Sequence, residues 1–371
     1  VHPRYPCRYP LHPLKLSLNT RQLTMATTLG VGIIGSGIRG RHGYEHFLRA
    51  HPAVRLRALA QYPEASPGLL EGQTEDDFRR YAEGLGVKYL GYDVDALLAR
   101  EDIQVVSMMV EPGLAAEYVE RIAAAGKHIV SDKPMAGSVA QGRRIVESVR
   151  RHGIQFLVAL NERYSPPFRE SQRRLASGGV GELLAGTVTF CLGGPLAGFT
   201  GNAAYRESFG GGEWANFGCY CADYMNWLAG CRPVSVFAHM GTFFYEDYRE
   251  AGMEDLAECV VRYDSGVIGT LIAGRPRAAY AGGYVTADLT CTRGSLRANS
   301  NMPLLEITAG QYGRRGYGST GLNELCGDFV EAVLQDGPSP IPAEDGLLAL
   351  QVVHAAFESA RTGRPVDPLA L

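Results

Sequence analysis

From about residue 29 to residue 160, short apolar runs alternate with stretches whose apolar residues recur every three or four positions. The runs at 29–34, 54–60, 103–110, 128–131 and 154–160 are short and almost uniformly apolar, which predicts buried strands. The stretches at 42–50, 76–85, 115–125 and 138–152 carry one apolar face and predict helices between them. Strands and helices alternating on short connections imply a parallel sheet covered on both faces.

Beyond residue 160 the pattern changes. Residues 183–192, 234–244, 257–263, 267–273, 285–291 and 304–309 read as strands, with turns at Ser265-Gly266 and Arg293-Gly294. Direct turns favour antiparallel pairing. A helix at 216–228 interrupts them, and helices at 323–335 and 344–361 close the chain. The expected organisation is an N-terminal tail over 1–28, an α/β domain over 29–160, and an α+β domain with a large, mainly antiparallel sheet over 161–371. The first 24 residues are rich in proline and basic residues and lack the apolar core of a secretory signal. They read as a disordered tail or as sequence upstream of a start near Met25.

Composition narrows the class without naming a chemistry. The 371 residues exceed what one core usually serves, and 46% hydrophobic with 20% charged is ordinary for a globular enzyme. A net charge of −3 offers no basic field for nucleic acid or anionic lipid. No apolar run approaches the ~20 residues that span a bilayer. The eight cysteines show no C-x-x-C pair and no zinc-like spacing, so reduced thiols, no metal site and a cytoplasmic location are expected.

Gly35-Ser36-Gly37-Ile38-Arg39-Gly40 is G-x-G-x-x-G directly after the first strand and at the opening of a helix. The glycines allow a tight turn, close approach of backbone to a pyrophosphate, and helix–strand packing. The helix N-terminus favours the phosphate charge. In that context the motif predicts a Rossmann dinucleotide site. At the end of the second strand, Gln61 stands where an acid would bind the adenosine ribose of NAD. It bonds a hydroxyl but does not repel a 2′-phosphate, so NAD is the expected cofactor with NADP not excluded.

After the strand at 128–131 comes Ser131-Asp132-Lys133-Pro134, a lysine at the carboxyl end of a parallel strand, where ligands bind such sheets. Together GVGIIGSGIRG, AAGKHIVSDKP, LNERYSPPF, GGGEWANFGCYCAD and EDGLLALQVVHAAFESARTGRPV resemble the glucose–fructose oxidoreductase/inositol dehydrogenase family (Gfo/Idh/MocA) over about residues 29–369. The resemblance implies that Lys133 is the catalytic lysine and that its bond to Pro134 is often cis. It also implies that Asp132 replaces the usual glutamate beside the nicotinamide, and that Asn161, Arg163 and Tyr164 lie at the domain junction. The family helix motif G-G-G-x-x-x-D-x-G-x-H-x-x-D reads here as Gly210-Gly211-Gly212 followed by Asn216, Gly218, Tyr220 and Asp223. Asparagine stands for aspartate and tyrosine for histidine. Family members with T-P-x-x-x-H near residue 110 differ from the Val110-Glu111-Pro112 seen here. Glu111 therefore either meets the cofactor edge or caps the following helix.

Asn216, Tyr220 and Asp223 are four and three apart, so a helix presents them together. Tyr220 is expected to take the hydroxyl proton, with the Lys133 ammonium lowering its pKa and offsetting alkoxide charge. Arg163, Trp214, Asn216 and Asp223 are candidate substrate contacts. These readings point to NAD(P)-dependent hydride transfer at a carbinol or carbonyl carbon of a sugar, inositol or related polyol. Two other classes remain open: a lyase or glycosidase working through transient oxidation, and a non-enzymatic ligand sensor. The outer face of the second sheet is expected to make a homodimer or homotetramer.

Overall fold

A computed structural model describes residues 28–35, 43–62, 74–193, 210–277, 284–300, 304–309, 311–316 and 321–371. The first sheet is wholly parallel. It contains β1 (Leu29–Ile34), β2 (Val54–Ala60), β3 (Lys88–Tyr89), β4 (Val105–Met108), β5 (His128–Ser131) and β6 (Phe156–Val158) in the order β3-β2-β1-β4-β5-β6. Every residue of β1 and β4 is buried, because helices cover both faces. The order reverses between β1 and β4, and this is where such sheets leave a crevice beyond their strand ends. The reading of a parallel α/β sheet over these residues is therefore correct. Of the glycine motif, Gly35 is described; Ser36, Gly37, Ile38, Arg39 and Gly40 lie outside the described residues.

The second sheet has eight strands: β7 (Leu183–Cys191), β8 (Pro233–Gly241), β9 (Leu256–Tyr263), β10 (Ile268–Gly274), β11 (Tyr284–Cys291), β12 (Gly294–Asn299), β13 (Leu304–Ala309) and β14 (Gln311–Gly316). Their order is β14-β13-β12-β11-β7-β10-β9-β8. All neighbours are antiparallel except β7 and β10, which pair in parallel. Buried and less buried residues alternate along β9, as expected of a sheet with one face on the core and one in solvent. Helices Cys219–Ala229 and Ala343–Thr362 cover the inner face.

The end of the chain returns to the first sheet. Helix Ala343–Thr362 packs on helix Val139–His152 as well as on Cys219–Ala229 and β8. The Val158 N–H donates to the Ile341 carbonyl at 3.1 Å. Helix Leu322–Leu334 packs on the short helix Tyr44–Leu48. One continuous apolar core thus runs beneath both sheets. Six cysteines (191, 219, 221, 259, 291 and 326) are free and buried. Cys231 is disulfide-bonded, against the expectation of reduced thiols throughout. No helix among the described residues is long and apolar enough to cross a membrane.

Candidate active site

The carboxyl ends of the parallel strands bring several of the expected residues to one rim. Gly35 follows β1 with φ +69°, and a Cβ placed there would lie 2.3 Å from the Met109 carbonyl oxygen and 2.8 Å from the Tyr62 ring. Only a glycine turns here without colliding with the end of β4. Gln61 follows β2 and is fully buried, its N–H donating to the Gly91 carbonyl at 2.8 Å. Glu111 follows β4 and is buried. Its main-chain oxygen accepts from Leu114 N at 2.9 Å, while helix Ala115–Ala124 has no side-chain cap.

Beyond β5, the backbone turns through Asp132 and a cis Lys133-Pro134 bond, as the resemblance implied. Helix Val139–His152 begins five residues later, its first turn closed by the Ser138 hydroxyl accepting from Gln141 N. The turn between strand and helix is held from within. One Asp132 oxygen, Oδ1, accepts both the Lys133 N–H at 2.8 Å and the Tyr44 hydroxyl at 2.6 Å. Tyr44 had no signal in the sequence pattern, since it follows the glycine motif on a short helix with little periodicity. Burial first, then Asp132, pushes its phenol well above the ordinary value.

Lys133 reaches across to the second domain's helix. Its Nζ donates to Asn216 Oδ1 at 2.6 Å and to the Asn216 main-chain oxygen at 2.9 Å. That carbonyl is available because residues Trp214–Gly218 form a π-helical turn at the start of helix Cys219–Ala229. Such turns leave carbonyls outside the regular ladder and recur at functional sites. The ammonium lies 5.1 Å from the centre of the Tyr220 ring and 5.6 Å from that of Phe217. Both rings stack on Phe190 of β7.

The electrostatics of Tyr220 differ from expectation. Lys133 lies over the ring face, and the hydroxyl donates to Asn161 Oδ1 at 3.3 Å. Burial, followed by the Asp132 charge, pushes the phenol well above its ordinary value of 10. The anticipated lowering by lysine is therefore overturned: the dominant cost is loss of water around a phenolate.

Arg163 and Asp223 are brought together. The guanidinium grips Asp223 through two N–H groups, Nε at 2.8 Å and Nη2 in a short contact, and its Nη1 donates to Asp345 at 2.7 Å. Arg163 and Asp223 are buried, with side chains 6% and 2% exposed. Burial pushes the Asp223 carboxyl up to about 6 against the opposing pull of Arg163. Trp214 is fully enclosed, its ring N–H donating to the Val353 carbonyl at 3.1 Å. These three side chains spend their polar atoms on protein partners.

Three carboxylates escaped the sequence reading. Glu213, the sole charge between Gly210 and Ala222, accepts from Asn216 Nδ2 at 3.1 Å, from Arg275 at 2.6 Å and from Tyr248. Its isolation in an otherwise uncharged run was the available signal. Glu254 accepts from Gly212 N and Trp214 N, and burial pushes it up to about 7. Glu162 sits on the turn Asn161–Tyr164, where burial likewise pushes its carboxyl up to about 7.

Past the strand ends, then, come a turn that only glycine can make and an ammonium lying over a phenol ring. Comparison with known proteins agrees with this arrangement. Residues 29–160 match the profile described as "Oxidoreductase family, NAD-binding Rossmann fold", and residues 168–297 match "GFO/IDH/MocA C-terminal domain". Myo-inositol 2-dehydrogenase of Thermotoga maritima is 25% identical over 91% of this chain and 97% of its own. Levoglucosan dehydrogenase of Pseudarthrobacter phenanthrenivorans is 24% identical over 91% and 98%. The crystal structure of an aldose-aldose oxidoreductase from Caulobacter crescentus superposes with a TM-score of 0.77 at 20% identity, covering 92% of this chain and 99% of that one. With two consecutive profiles matched over most of its length, the chain belongs to the Gfo/Idh/MocA family of NAD-binding oxidoreductases.

Proposed function

We propose that this enzyme acts on a sugar, inositol or related polyol, exchanging a carbinol for a carbonyl with NAD as its redox partner. The observation that carries this reading is the ammonium of Lys133, which follows β5, is held by two bonds to Asn216 and lies over the Tyr220 ring. The printed activities of relatives, myo-inositol 2-dehydrogenase and levoglucosan dehydrogenase, support the substrate class.

Gly35 fits the first glycine of a dinucleotide turn, because its left-handed φ and its packing on Met109 and Tyr62 admit no side chain. In the proposal Gln61, Glu111, Asp132 and Asn161 border the cofactor. When bound, the cofactor would supply a hydride acceptor as NAD+ for oxidation and a hydride donor as NADH for reduction. Lys133 Nζ, oriented by its two bonds to Asn216, faces the substrate oxygen and offsets charge as that oxygen becomes alkoxide-like. Tyr220 Oη carries the proton. Because its phenol is pushed up, the proton is in place for reduction at neutral pH. Oxidation needs the scarce phenolate and should therefore speed up with rising pH. Asn216 anchors the lysine, while Arg163, Asp223 and Trp214 brace the wall behind the substrate.

NADH formation or consumption over a panel of inositols, sugars and anhydrosugars, with NAD and NADP in parallel, tests this reading. Lys133→Ala should lower turnover by about a thousandfold while NADH binding survives, and Tyr220→Phe by about a hundredfold. Undiminished turnover in Lys133→Ala would remove the mechanism. Exposed Val260 and Ile268 on the outer sheet face support a homo-oligomer contact there, which sedimentation would measure. A cytoplasmic location is part of the proposal; six described cysteines are free thiols, in keeping with it, while the disulfide at Cys231 runs against it.

A further inference from the structure

Asn216 stands where the family motif carries an aspartate, so Lys133 meets an amide rather than a carboxylate. An amide has two unlike ends, and only one of them serves an ammonium. Oxygen towards Nζ accepts its hydrogen, whereas an NH2 there would set donor against donor. Something must choose between the two orientations.

Glu213 makes that choice. Its Oε2 accepts from Asn216 Nδ2 at 3.1 Å, so turning the amide over would oppose oxygen to carboxylate and NH2 to ammonium at once. The carboxylate is itself held from separate elements and is fully buried. Its Oε1 accepts from Arg275 Nε at 2.6 Å, just past β10, and from the Tyr248 hydroxyl on helix Glu246–Glu250. Arg275 in turn faces the Phe217 ring at 4.8 Å.

We propose that Glu213 is the positioning residue of this site: gripped by Arg275 and Tyr248, it fixes the Asn216 amide with its oxygen towards Lys133. The carboxylate missing at 216 thus stands one layer back, acting through the amide. This rests on the role given to Lys133 above.

The test is a two-residue exchange of donor and acceptor. Asn216→Asp alone places a second carboxylate against Glu213 where a 3.1 Å hydrogen bond stood. Its kcat should fall about tenfold or more, with the KM for NAD changed less than about twofold. Glu213→Gln alone points an NH2 at the NH2 of Asn216 and should cost about as much. Together the changes restore complementarity. The oxygen of the introduced amide faces Arg275 and Tyr248, and its NH2 faces the introduced carboxylate, which in turn faces Lys133. The double variant should therefore exceed both single variants in kcat by about fivefold. A second readout needs no turnover. Acetic anhydride labelling of Lys133, followed by peptide mass spectrometry, should quicken by about threefold in Glu213→Gln and return towards the wild-type rate in the double variant.

A bracing role alone predicts a double variant no better than the worse single one, and that result would overturn the proposal. Wild-type kcat in Asn216→Asp overturns it as well, and that variant keeps the test decisive if Glu213→Gln does not fold. Full turnover in Lys133→Ala refutes the parent reading instead, whereas an essential Lys133 with merely additive variants refutes only the role of Glu213.

Discussion

Replacing Glu162 by glutamine should make the protein more stable above neutral pH and change it little in acid. The carboxyl is pushed from 4.5 to about 7 by burial, relieved in part by a hydrogen bond from Ser300. Its Oε2 is buried with no hydrogen-bond partner among the described residues. Below about pH 4.5 the group is protonated whether the chain is folded or not, and it imposes no penalty. Between about 4.5 and 7 the unfolded chain releases the proton while the folded one keeps it, so stability falls as pH rises. Above about 7 both forms are ionised and the loss is complete. At ~1.4 kcal/mol for each tenfold change in proton affinity, the interval corresponds to at most ~3 kcal/mol. Glutamine keeps the shape and never ionises. Urea unfolding of both proteins from about pH 4 to about pH 9 should show a stability gap widening in favour of the variant by ~2–3 kcal/mol. Glu254, raised in the same direction, contributes to both proteins and cancels in the difference. A gap that does not vary with pH would refute the reasoning. The Glu162 charge also helps to hold the Tyr220 phenol up, so the variant's oxidation profile should move towards lower pH.

Three other outcomes follow from the geometry. Gly35→Ala puts a Cβ 2.3 Å from the Met109 carbonyl at a left-handed φ, so NADH affinity measured by fluorescence should fall about tenfold or more. Arg163→Met leaves Asp223 and Asp345 without their cation and should cost ~3–5 kcal/mol in denaturant unfolding, partly recovered by adding Asp223→Asn. Wild-type oxidation should accelerate through the alkaline range while reduction stays level near neutrality, as read from initial rates in both directions; a matched pair of profiles would contradict a raised Tyr220 phenol.

The parallel sheet was legible because most of its strands are buried on both faces and so read as apolar runs, as in β1 and β6. β3, β12 and β14 were not. Lys88–Tyr89 is too short to show a period, and Gln311–Gly316 (QYGRRG) carries almost no apolar residue. Such strands exist because a neighbour supplies hydrogen bonds along its edge, information that lies elsewhere in the chain. The parallel pairing of β7 with β10 was hidden for the same reason. At the site, motif spacing brought Lys133, Asn216 and Tyr220 into one neighbourhood but could not say which atoms meet. The lysine over the ring face, the phenol turned to Asn161, and Arg163 locked on Asp223 are consequences of packing. Glu213 and Tyr44, which hold Asn216 and Asp132 in place, belong to no pattern recognisable along a line.

Helix Ala343–Thr362 touches both halves of the molecule. Asp345 in its first turn clasps Arg163, the Val353 carbonyl holds the Trp214 indole, and its flank lies along helix Val139–His152 behind the lysine turn. Any opening motion that parted Lys133 from Asn216 would have to lift this helix off one of its two supports. Lys133 and Asn216 are thus spaced by a strut that belongs to neither of the segments carrying them.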